Sequence, residues 1–480
     1  MTTEGVTATS LDESSPVVST SQKDKTLFLV GVLVWLGVFA LTWPLAFSFG
    51  DEVGYIGEAR LLMQGRVHPV PDDPGIWHKR SDGPYALIPK YPLFLSVVLV
   101  PFVAISPPMV FLLGVLGAIA LALMAGRILE SWGHSRLWGL VVLMDPTVVL
   151  LSRTVMADVG LAFLGLGTWY FLRRRAVWPT VLFAVATIAI KTTGIVTVAA
   201  LLAGQSLVLY RERRRIAEVV RGVRPLLMGI AVGGAIVIGL NLVSNGTIHS
   251  SYNESASDAF GLRFLRTSGV AHLKSLLLCP PLLFVGVLPF WRRRDWAALL
   301  VIGISTVMMS VYFFVDWGVG FIDTVVLSRR LLMPAIAFLL VGYAEILARL
   351  FERFSRWRFG HVAAVMVPAL LALGVGLKHR QWQIPAHRAL ERAEAWAEKT
   401  GEKELGLTAY AFKVGLLFPG RTTFVEGDRR KSNLVLCHAA GGSYRIVDNF
   451  RYSCTLPGYR VVQEFADDGY YILERSDRKN

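Results

Sequence analysis

Long apolar runs separated by short polar loops occupy most of the first 378 residues of the chain. The first run extends from Leu27 to Phe49, and a helix needs about 20 apolar residues to cross a bilayer. Later runs of similar character lie at roughly 108–127, 136–152, 156–172, 177–190, 193–210, 225–243, 273–291, 296–315, 329–349 and 361–378. The pattern predicts about eleven transmembrane helices.

One apolar segment, Tyr91 to Ile105, is shorter than a span and contains Pro92 and Pro101. If it does not cross the membrane, the later basic clusters lie on the same side as Lys23 and Lys25, as the positive-inside rule expects. We therefore predict a juxtamembrane segment here, a cytoplasmic N-terminus and a C-terminus on the outer face. The clusters are Arg127 with Arg136, Arg173 to Arg175, Arg211 to Arg215, Arg292 to Arg294 and Arg349 to Arg358.

The two ends of the chain differ from this membrane region. Residues 1–25 are polar and aperiodic, which predicts a disordered cytoplasmic tail before a transmembrane domain at 26–378. Residues 379–480 open with a charged helical pattern and continue as short alternating segments, which predicts a small extracytoplasmic α/β domain. Cys437 and Cys454 could form a disulfide there, whereas Cys279 lies in a span and should stay reduced.

Composition agrees with an all-α polytopic membrane protein. The chain is 54% hydrophobic and 18% charged, with a mean hydropathy of +0.50. Its net charge of +14 does not indicate a nucleic-acid partner, because the cations fall in short clusters between apolar runs. Three cysteines exclude a disulfide scaffold, and neither a zinc spacing nor a nucleotide-binding glycine motif is present.

The most informative polar stretch is Gly50 to Gly65, which follows the first span directly. Its paired carboxylates, Asp51 and Glu52, begin a segment that we interpret as a short interfacial helix. Two interpretations of Asp51 are open at this stage. It could act as a general base at the membrane surface, or it could only cap the helix.

The predicted outer loops also carry cations. A single Lys or Arg at a membrane boundary is usually solvated or snorkelling, but several together indicate an anionic ligand such as a lipid phosphate or pyrophosphate. Acids beside such cations fit lipid-phosphate-linked group transfer. The outer charged residues are Asp51, Glu52, Lys79, Arg80, Lys90, Arg153, Asp158, Lys191, Arg263, Arg266, Lys274, Arg329 and Arg330. Asp145, within a predicted span, should face protein or water.

A metal site is a weaker hypothesis. His68 and His78 share the first outer loop with Asp72 and Asp73, but their spacing matches no standard metal motif. The sequence Asp72-Asp73-Pro74-Gly75 is more typical of a turn. No metal ligand is predicted, and a requirement for a divalent metal stays open.

Four motifs follow one another along the chain: Asp51-Glu52-Val53-Gly54-Tyr55, Lys90-Tyr91-Pro92-Leu93, Ser152-Arg153-Thr154-Val155-Met156-Ala157-Asp158 and Arg329-Arg330-Leu331-Leu332-Met333-Pro334. In this order they resemble the polyprenyl-phosphate-sugar-dependent glycosyltransferases of the membrane GT-C fold, particularly the protein mannosyltransferase and aminoarabinose transferase branch. Lys191-Thr192-Thr193-Gly194 is similar to a further family motif, which lies between two spans. Leu93 and Leu331 replace a Pro and a Tyr of the family pattern.

The resemblance implies an inverting transfer of a sugar from a polyprenyl-phosphate donor to an acceptor hydroxyl of a lipid, glycan or protein on the outer face. It implies catalytic outer loops at 50–106, 152–158, 244–272 and 315–329. It also implies Asp51 as the base and Asp158 as a supporting acid. The residues expected to contact substrate are Glu52, Tyr55, Lys90, Arg153, Lys191 and Arg330.

Two other functions compete with this hypothesis. A transporter or lipid-linked-sugar flippase should show internal repeats and polar groups at mid-membrane, and we find no clear repeat. A structural partner of other membrane proteins would use Asp51 as a cap and nothing more.

Overall fold

A computed structural model describes most of the membrane region and part of the C-terminal region. The described residues are 22–70, 73, 77–79, 85, 87–212, 215–248, 260–312, 329–353, 360–401, 405–407, 422–424, 434–438, 441–444, 447–451, 459–465 and 470–476. Residues 1–21 of the predicted tail lie outside the described residues. The last four residues of the predicted tail, 22–25, are helical. The predicted outer loop at 315–328 and Cys454 also lie outside the described residues, as does the side chain of Cys437.

Helices form the body of the protein. In chain order they are α1 (Gln22–Leu41), α2 (Gly50–Met63), α3 (Leu93–Ile105), α4 (Phe111–Ser131), α5 (Pro146–Ser152), α6 (Ala157–Arg173), α7 (Val177–Ile190), α8 (Gly194–Arg211), α9 (Ile216–Asn245), α10 (Ser268–Leu278), α11 (Leu288–Arg292), α12 (Trp296–Ser310), α13 (Met333–Arg353) and α14 (Gly360–Lys399). Short 3-10 helices cover Pro107–Val110, Arg136–Met144, Leu262–Arg266, Leu283–Val287 and Arg329–Leu332.

The helices confirm a polytopic membrane protein. Within the described residues, six are long and apolar enough to cross a membrane, or seven if α5 and α6 form one bent span. The six are Gln22–Leu41, Pro107–Ser131, Gly194–Arg211, Ile216–Asn245, Arg329–Phe351 and Gly360–Lys399. Four shorter apolar helices are Leu93–Ile105, Val177–Ile190, Leu283–Arg292 and Trp296–Ser310. The count of about eleven therefore stays a prediction.

Two predicted spans are broken rather than continuous. The run at 136–152 divides at Asp145, where Pro146 begins α5, and α5 meets α6 at an angle of 118°. The run at 273–291 ends its first helix at Leu278 because Pro280 and Pro281 follow. Proline lacks a backbone N–H and suits the first turn of a new helix better than the middle of one. The apolar composition predicted that these two segments lie in the membrane, but it did not predict that their helices are interrupted.

The segment predicted to be juxtamembrane forms α3, which has Pro101 inside it. At 1.5 Å per residue, its 13 residues extend about 20 Å, which is less than the ~30 Å of a hydrocarbon core. This helix packs along α2. Its length agrees with a segment that does not cross the bilayer.

The C-terminal region begins inside a helix. The 40-residue helix α14 runs through the predicted boundary between residues 378 and 379 without a linker. A small sheet follows it, as predicted for an α/β domain. Its strands are β3 (Leu405–Leu407), β4 (Thr422–Phe424), β5 (Leu434–His438), β8 (Tyr459–Phe465) and β9 (Tyr470–Arg475). Two earlier strands, β1 (Trp77–Lys79) and β2 (Leu87–Pro89), pair with each other in the first outer loop. A separate hairpin pairs β6 (Gly441–Tyr444) with β7 (Val447–Arg451).

The five strands of the small sheet are hydrogen-bonded in the order β4-β3-β5-β9-β8. Strand β3 is parallel to β4 and β5, whereas β9 is antiparallel to β5 and β8. Leu436 and Ile472 are fully buried and belong to the same apolar core as Ala389 and Ala393 of α14. The end of the long helix therefore carries the sheet.

Glycines allow backbone to approach backbone within the helical body. A Cβ atom added at Gly342 of α13 would lie 1.9 Å from the carbonyl oxygen of Gly286. One added at Gly286 would lie 2.0 Å from the carbonyl oxygen of Leu339. Only residues without a side chain fit this crossing.

We expect Gly342→Ala to destabilise the protein by about 1–3 kcal/mol, because the new methyl group overlaps a backbone atom that cannot move by rotamer change. Gly374→Ala in α14 is the matched control, since no atom lies within 4 Å of its Cβ position. Alanine there should be neutral or stabilising by up to ~1 kcal/mol. Thermal unfolding in detergent measures both, and equal melting temperatures for the two variants would contradict the crossing.

Candidate active site

The carboxylate of Glu52 builds the start of α2. Its Oε2 accepts hydrogen bonds from the backbone N–H groups of Ser48 at 2.6 Å and Phe49 at 2.7 Å. Its Oε1 accepts from the N–H of Val155, on the loop between α5 and α6, at 2.8 Å. Glu52 is fully buried. Glu52 rather than Asp51 therefore caps this helix, because its oxygens accept hydrogen bonds from backbone N–H groups. Its predicted contact with substrate stays a prediction.

Asp51 has a different environment, in which side chains rather than backbone surround the carboxylate. Its Oδ1 accepts a hydrogen bond from the Tyr91 hydroxyl at 2.7 Å, and its Oδ2 lies 3.4 Å from a guanidinium nitrogen of Arg330. The Asp51 side chain is 26% exposed. The interpretation of Asp51 as a helix cap is wrong, because its oxygens face the Tyr91 and Arg330 side chains.

The charges around Asp51 decide its ionisation. Burial raises the pKa of this carboxyl, but the positive charge of Arg330, the Tyr91 hydrogen bond, and the charges of Lys90 and Lys191 outweigh burial. The pKa of Asp51 is consequently lowered from its ordinary value. Four predicted residues, Asp51, Lys90, Lys191 and Arg330, are thus close enough to interact.

Tyr91 is positioned by packing. Its ring lies 4.7 Å from the ring of Tyr55, centroid to centroid, and the ammonium of Lys90 lies 5.2 Å from the Tyr91 centroid. A Cβ atom at Gly54 would lie 2.5 Å from the Tyr91 ring. Gly54 therefore makes room for Tyr91 beside α2. Tyr55, predicted to contact substrate, is buried and supports Tyr91.

Asp158 and Lys191 form a second charged pair. The Lys191 ammonium lies 2.6 Å from Oδ1 of Asp158. Asp158 is 1% exposed and Lys191 is 25% exposed. The other carboxylate oxygen of Asp158 is buried and has no hydrogen-bond partner among the described residues. Gly194 allows the turn after Lys191, because a Cβ there would lie 1.8 Å from the carbonyl oxygen of Thr187.

Arg153 lies in the protein interior. Its guanidinium donates to Thr42 Oγ1 at 2.8 Å, to the Thr42 carbonyl oxygen, and to Nδ1 of His379 at 3.2 Å. It is 1% exposed. The structure gives Arg153 a role in joining α1, the α5–α6 loop and α14, and its contacts do not include the predicted phosphate-binding cations.

A buried ion pair lies directly behind the site. Arg329 donates to Oδ2 of Asp145, and both side chains are fully buried. The other oxygen of Asp145 accepts from the N–H groups of Thr147 and Val148 and so caps α5. Arg329 is adjacent in sequence to Arg330, so this pair fixes the backbone from which Arg330 reaches Asp51. The sequence indicated that Asp145 faces protein but not which residue pairs with it.

Sequence reasoning missed two residues near Asp51. Tyr91 stands in a quoted motif but received no role, and Glu58 received none either. Glu58 lies seven positions after Asp51, so the two share a helix face. The spacing of acids along α2 was the available signal.

The metal hypothesis has no support in the described residues. No group of three His, Cys, Asp or Glu side chains there is arranged to hold a metal ion. Asp73 pairs with Arg66 at 2.7 Å. Asp72 and the side chain of His78 lie outside the described residues.

Comparisons with known proteins give the fold. No protein-family model matches the chain, and no curated protein is similar to it in sequence. The structure is similar to that of ArnT from Cupriavidus metallidurans bound to undecaprenyl phosphate, with a TM-score of 0.60 and 14% identity over 94% of this chain and 97% of that chain. It is also similar to ArnT in the apo state, with a TM-score of 0.58 and 14% identity over 94% and 98% of the two chains. The chain therefore has the predicted membrane GT-C fold.

Neutralising the acid should affect stability differently in the two acid–arginine pairs, Asp145 with Arg329 and Asp51 with Arg330. Asp145→Asn keeps the capping oxygen but leaves Arg329 as an uncompensated buried charge, so we expect a loss of about 3–5 kcal/mol. Asp51→Asn affects a pair that is about a quarter exposed on each side, so we expect a loss below ~1 kcal/mol.

Thermal unfolding of the two single variants in the same detergent measures this difference. The double variant Asp145→Asn with Arg329→Met is the control, because it removes both charges and should recover part of the loss. A melting temperature for Asp145→Asn equal to that of Asp51→Asn would contradict the importance of burial.

Proposed function

We propose that this protein is a membrane glycosyltransferase that moves a sugar from a polyprenyl-phosphate donor to an acceptor hydroxyl on the outer face. The observation that carries the proposal is the ionised, partly exposed Asp51, around which Lys90, Lys191 and Arg330 are arranged. A base and several cations at one place are what lipid-phosphate-linked transfer requires. The fold shared with ArnT supports the same class of reaction.

Asp51 serves as the general base in this proposal. Its carboxylate takes the proton of the acceptor hydroxyl while the acceptor oxygen forms a bond to the anomeric carbon of the sugar. The bond between that carbon and the phosphate oxygen breaks, its electron pair remains on the phosphate, and the polyprenyl phosphate departs. Attack opposite the leaving group inverts the anomeric configuration. A lowered pKa keeps Asp51 ionised at neutral pH, in the form that accepts a proton.

Lys90, Lys191 and Arg330 bind the donor phosphate. A sugar phosphodiester has one negative charge, and the leaving phosphate monoester gains further charge as the bond breaks. Asp51 and Asp158 already balance two of the three cations, which leaves a net charge of about +1 in this set. That charge fits a monophosphate donor better than a pyrophosphate.

Asp158 orients Lys191 through the ion pair at 2.6 Å and keeps one buried oxygen for an additional donor group. Tyr55 and Glu52 act indirectly. Tyr55 packs against Tyr91, and Glu52 holds the start of α2. Arg153 supports the same region from the interior. The acceptor, whether lipid, glycan or protein, approaches from the exposed side of Asp51.

A transporter or flippase of lipid-linked sugars is the alternative. The network between Asp51, Tyr91 and Arg330 favours the transferase, because a transporter needs no base poised at the lipid phosphate. The experiment uses purified protein reconstituted in vesicles that contain a polyprenyl-phosphate sugar radiolabelled in its polyprenyl phosphate. A cell-envelope extract supplies the acceptor hydroxyls. A transferase releases polyprenyl phosphate, whereas a flippase leaves the donor intact on the other leaflet.

Asp51→Asn should fold and insert normally, should retain binding of the lipid phosphate, and should lose a factor of ~10²–10⁴ in transfer, because an amide cannot accept the hydroxyl proton. Release of labelled polyprenyl phosphate measures the rate. Lys399→Gln, in the last turn of α14 and outside the set of outer charged residues, is the control. A rate for Asp51→Asn near that of the unsubstituted protein would remove the assignment of the base.

We also propose the predicted orientation, with residue 1 in the cytoplasm and residue 480 outside. The basic clusters then lie inside, as the positive-inside rule requires. A reporter that is active only outside the membrane should be active when fused after Asn480, and the same reporter fused before Met1 should be inactive. Activity of the N-terminal fusion and silence of a stable C-terminal fusion would reverse the orientation.

A further inference from the structure

A second carboxyl group of α2, Glu58, lies on the hidden side of the site. It is 1% exposed and has no part in binding the cations around Asp51. One of its oxygens accepts a hydrogen bond from the backbone N–H of Tyr91 at 3.1 Å. The other lies 2.7 Å from the hydroxyl of Ser96, in the first turn of α3. The carboxyl group therefore joins α2 to both sides of Pro92.

These contacts connect Glu58 to Asp51 through one residue. The backbone of Tyr91 is bound by Glu58, and the hydroxyl of the same tyrosine donates to Asp51 at 2.7 Å. Gly54, between the two acids on the helix, provides the space that the Tyr91 ring occupies. The tyrosine is thus held at its backbone, along its ring and at its hydroxyl, all from α2.

Among the described residues, no cation is near enough to Glu58 to shift its pKa. Helix α3 has no charged residue, and the charged residues of α2 other than Glu58 are Asp51, Glu52 and Arg60. The groups that act on the ionisation of Glu58 are its burial, Ser96 and the Tyr91 amide. Burial dominates and raises the pKa of Glu58 to about 8, so the group is protonated at neutral pH.

We propose that Glu58 is a positioning residue, a buried carboxyl group that anchors the backbone of Tyr91 and thereby aims the tyrosine hydroxyl at Asp51. The catalytic part of this inference depends on the proposed transferase function, whereas the anchoring part does not. Glutamine can reproduce the arrangement, because its oxygen accepts from the Tyr91 N–H and its amide group donates to Ser96 Oγ. Leucine has a similar volume but leaves both partners unsatisfied.

The pH dependence follows from the raised pKa. Between pH 4.5, the ordinary value, and about pH 8, the folded protein holds a proton on Glu58 that the unfolded chain releases. The contribution of Glu58 therefore lowers folding stability as pH rises through this window. Above the window, Glu58 causes no further decrease. Glu58→Gln lacks the proton and should lack this contribution. The melting temperature of Glu58→Gln relative to the unsubstituted protein should increase steadily from pH 5 to pH 8.5.

Hydrogen exchange of the Tyr91 amide tests the anchor without any assay of activity. We expect exchange in Glu58→Gln to stay within about threefold of that in the unsubstituted protein, and Glu58→Leu to raise it at least tenfold. Ser96→Ala is the matched control, because it removes only the second contact and should leave the Tyr91 amide protected. Equal protection of Tyr91 in Glu58→Leu and Glu58→Gln would overturn the anchor.

Transfer from a radiolabelled polyprenyl-phosphate sugar tests the catalytic consequence. We expect Glu58→Gln to retain at least half of the kcat at pH 7 and Glu58→Leu to lose at least tenfold. If Glu58→Leu loses the Tyr91 protection but keeps its kcat, the anchor exists and positioning is overturned. If the unsubstituted protein shows no transfer, the proposed function fails, and the exchange and melting data still decide the role of Glu58 as an anchor.

Discussion

The carboxylate of Glu52 is the interaction on which the arrangement of the site depends. It receives three backbone N–H groups, two from the turn before α2 and one from Val155 on a loop more than a hundred residues later. A buried carboxylate is costly unless donors surround it, so the start of α2 and the α5–α6 loop must meet here or leave the carboxylate unsatisfied. This contact places Asp51 next to the loop that leads to Asp158. Glu52 thus joins the start of α2 to the α5–α6 loop.

A second buried network brings the C-terminal helix to the same place. Because Nδ1 of His379 accepts from Arg153, its Nε2 is the donor, and it lies 2.5 Å from Ser48 Oγ. Gln383, one turn later on α14, accepts from the N–H of Leu45 and donates to the carbonyl oxygen of Ala46. These are the residues directly before α2. The helix that carries the small sheet is therefore bonded to the segment that presents Asp51, which explains why no flexible linker separates the two regions.

Charges also stabilise the helical body away from the site. Glu345 of α13 is fully buried and binds Arg293 through both oxygens, at 2.6 and 2.8 Å, while Arg349 lies one turn away and pairs with it too. The guanidinium of Arg293 also lies 4.1 Å from the ring centroid of Trp132. Arginines that sequence analysis treats as orientation signals thus have structural partners as well. One arginine can serve both purposes, because its side chain is long enough to reach a buried acid from a membrane surface.

The sequence by itself determined the fold class of the protein and several of the charged residues that lie together. Apolar run length requires membrane helices whatever their packing, and the motif order predicted the GT-C fold and the cluster of Asp51, Lys90, Lys191 and Arg330. Only the tertiary structure decided which of two neighbouring carboxyl groups, Asp51 or Glu52, is partly exposed and which is buried. Asp51 and Glu52 are adjacent and chemically alike, and local pattern cannot tell which of them caps α2, because the donors to Glu52 include the amide of Val155 on a distant loop. The same reason applies to Arg153, whose partners are Thr42, directly after α1, and His379 of α14. It applies also to Glu58, whose contacts exist only because α3 folds back along α2.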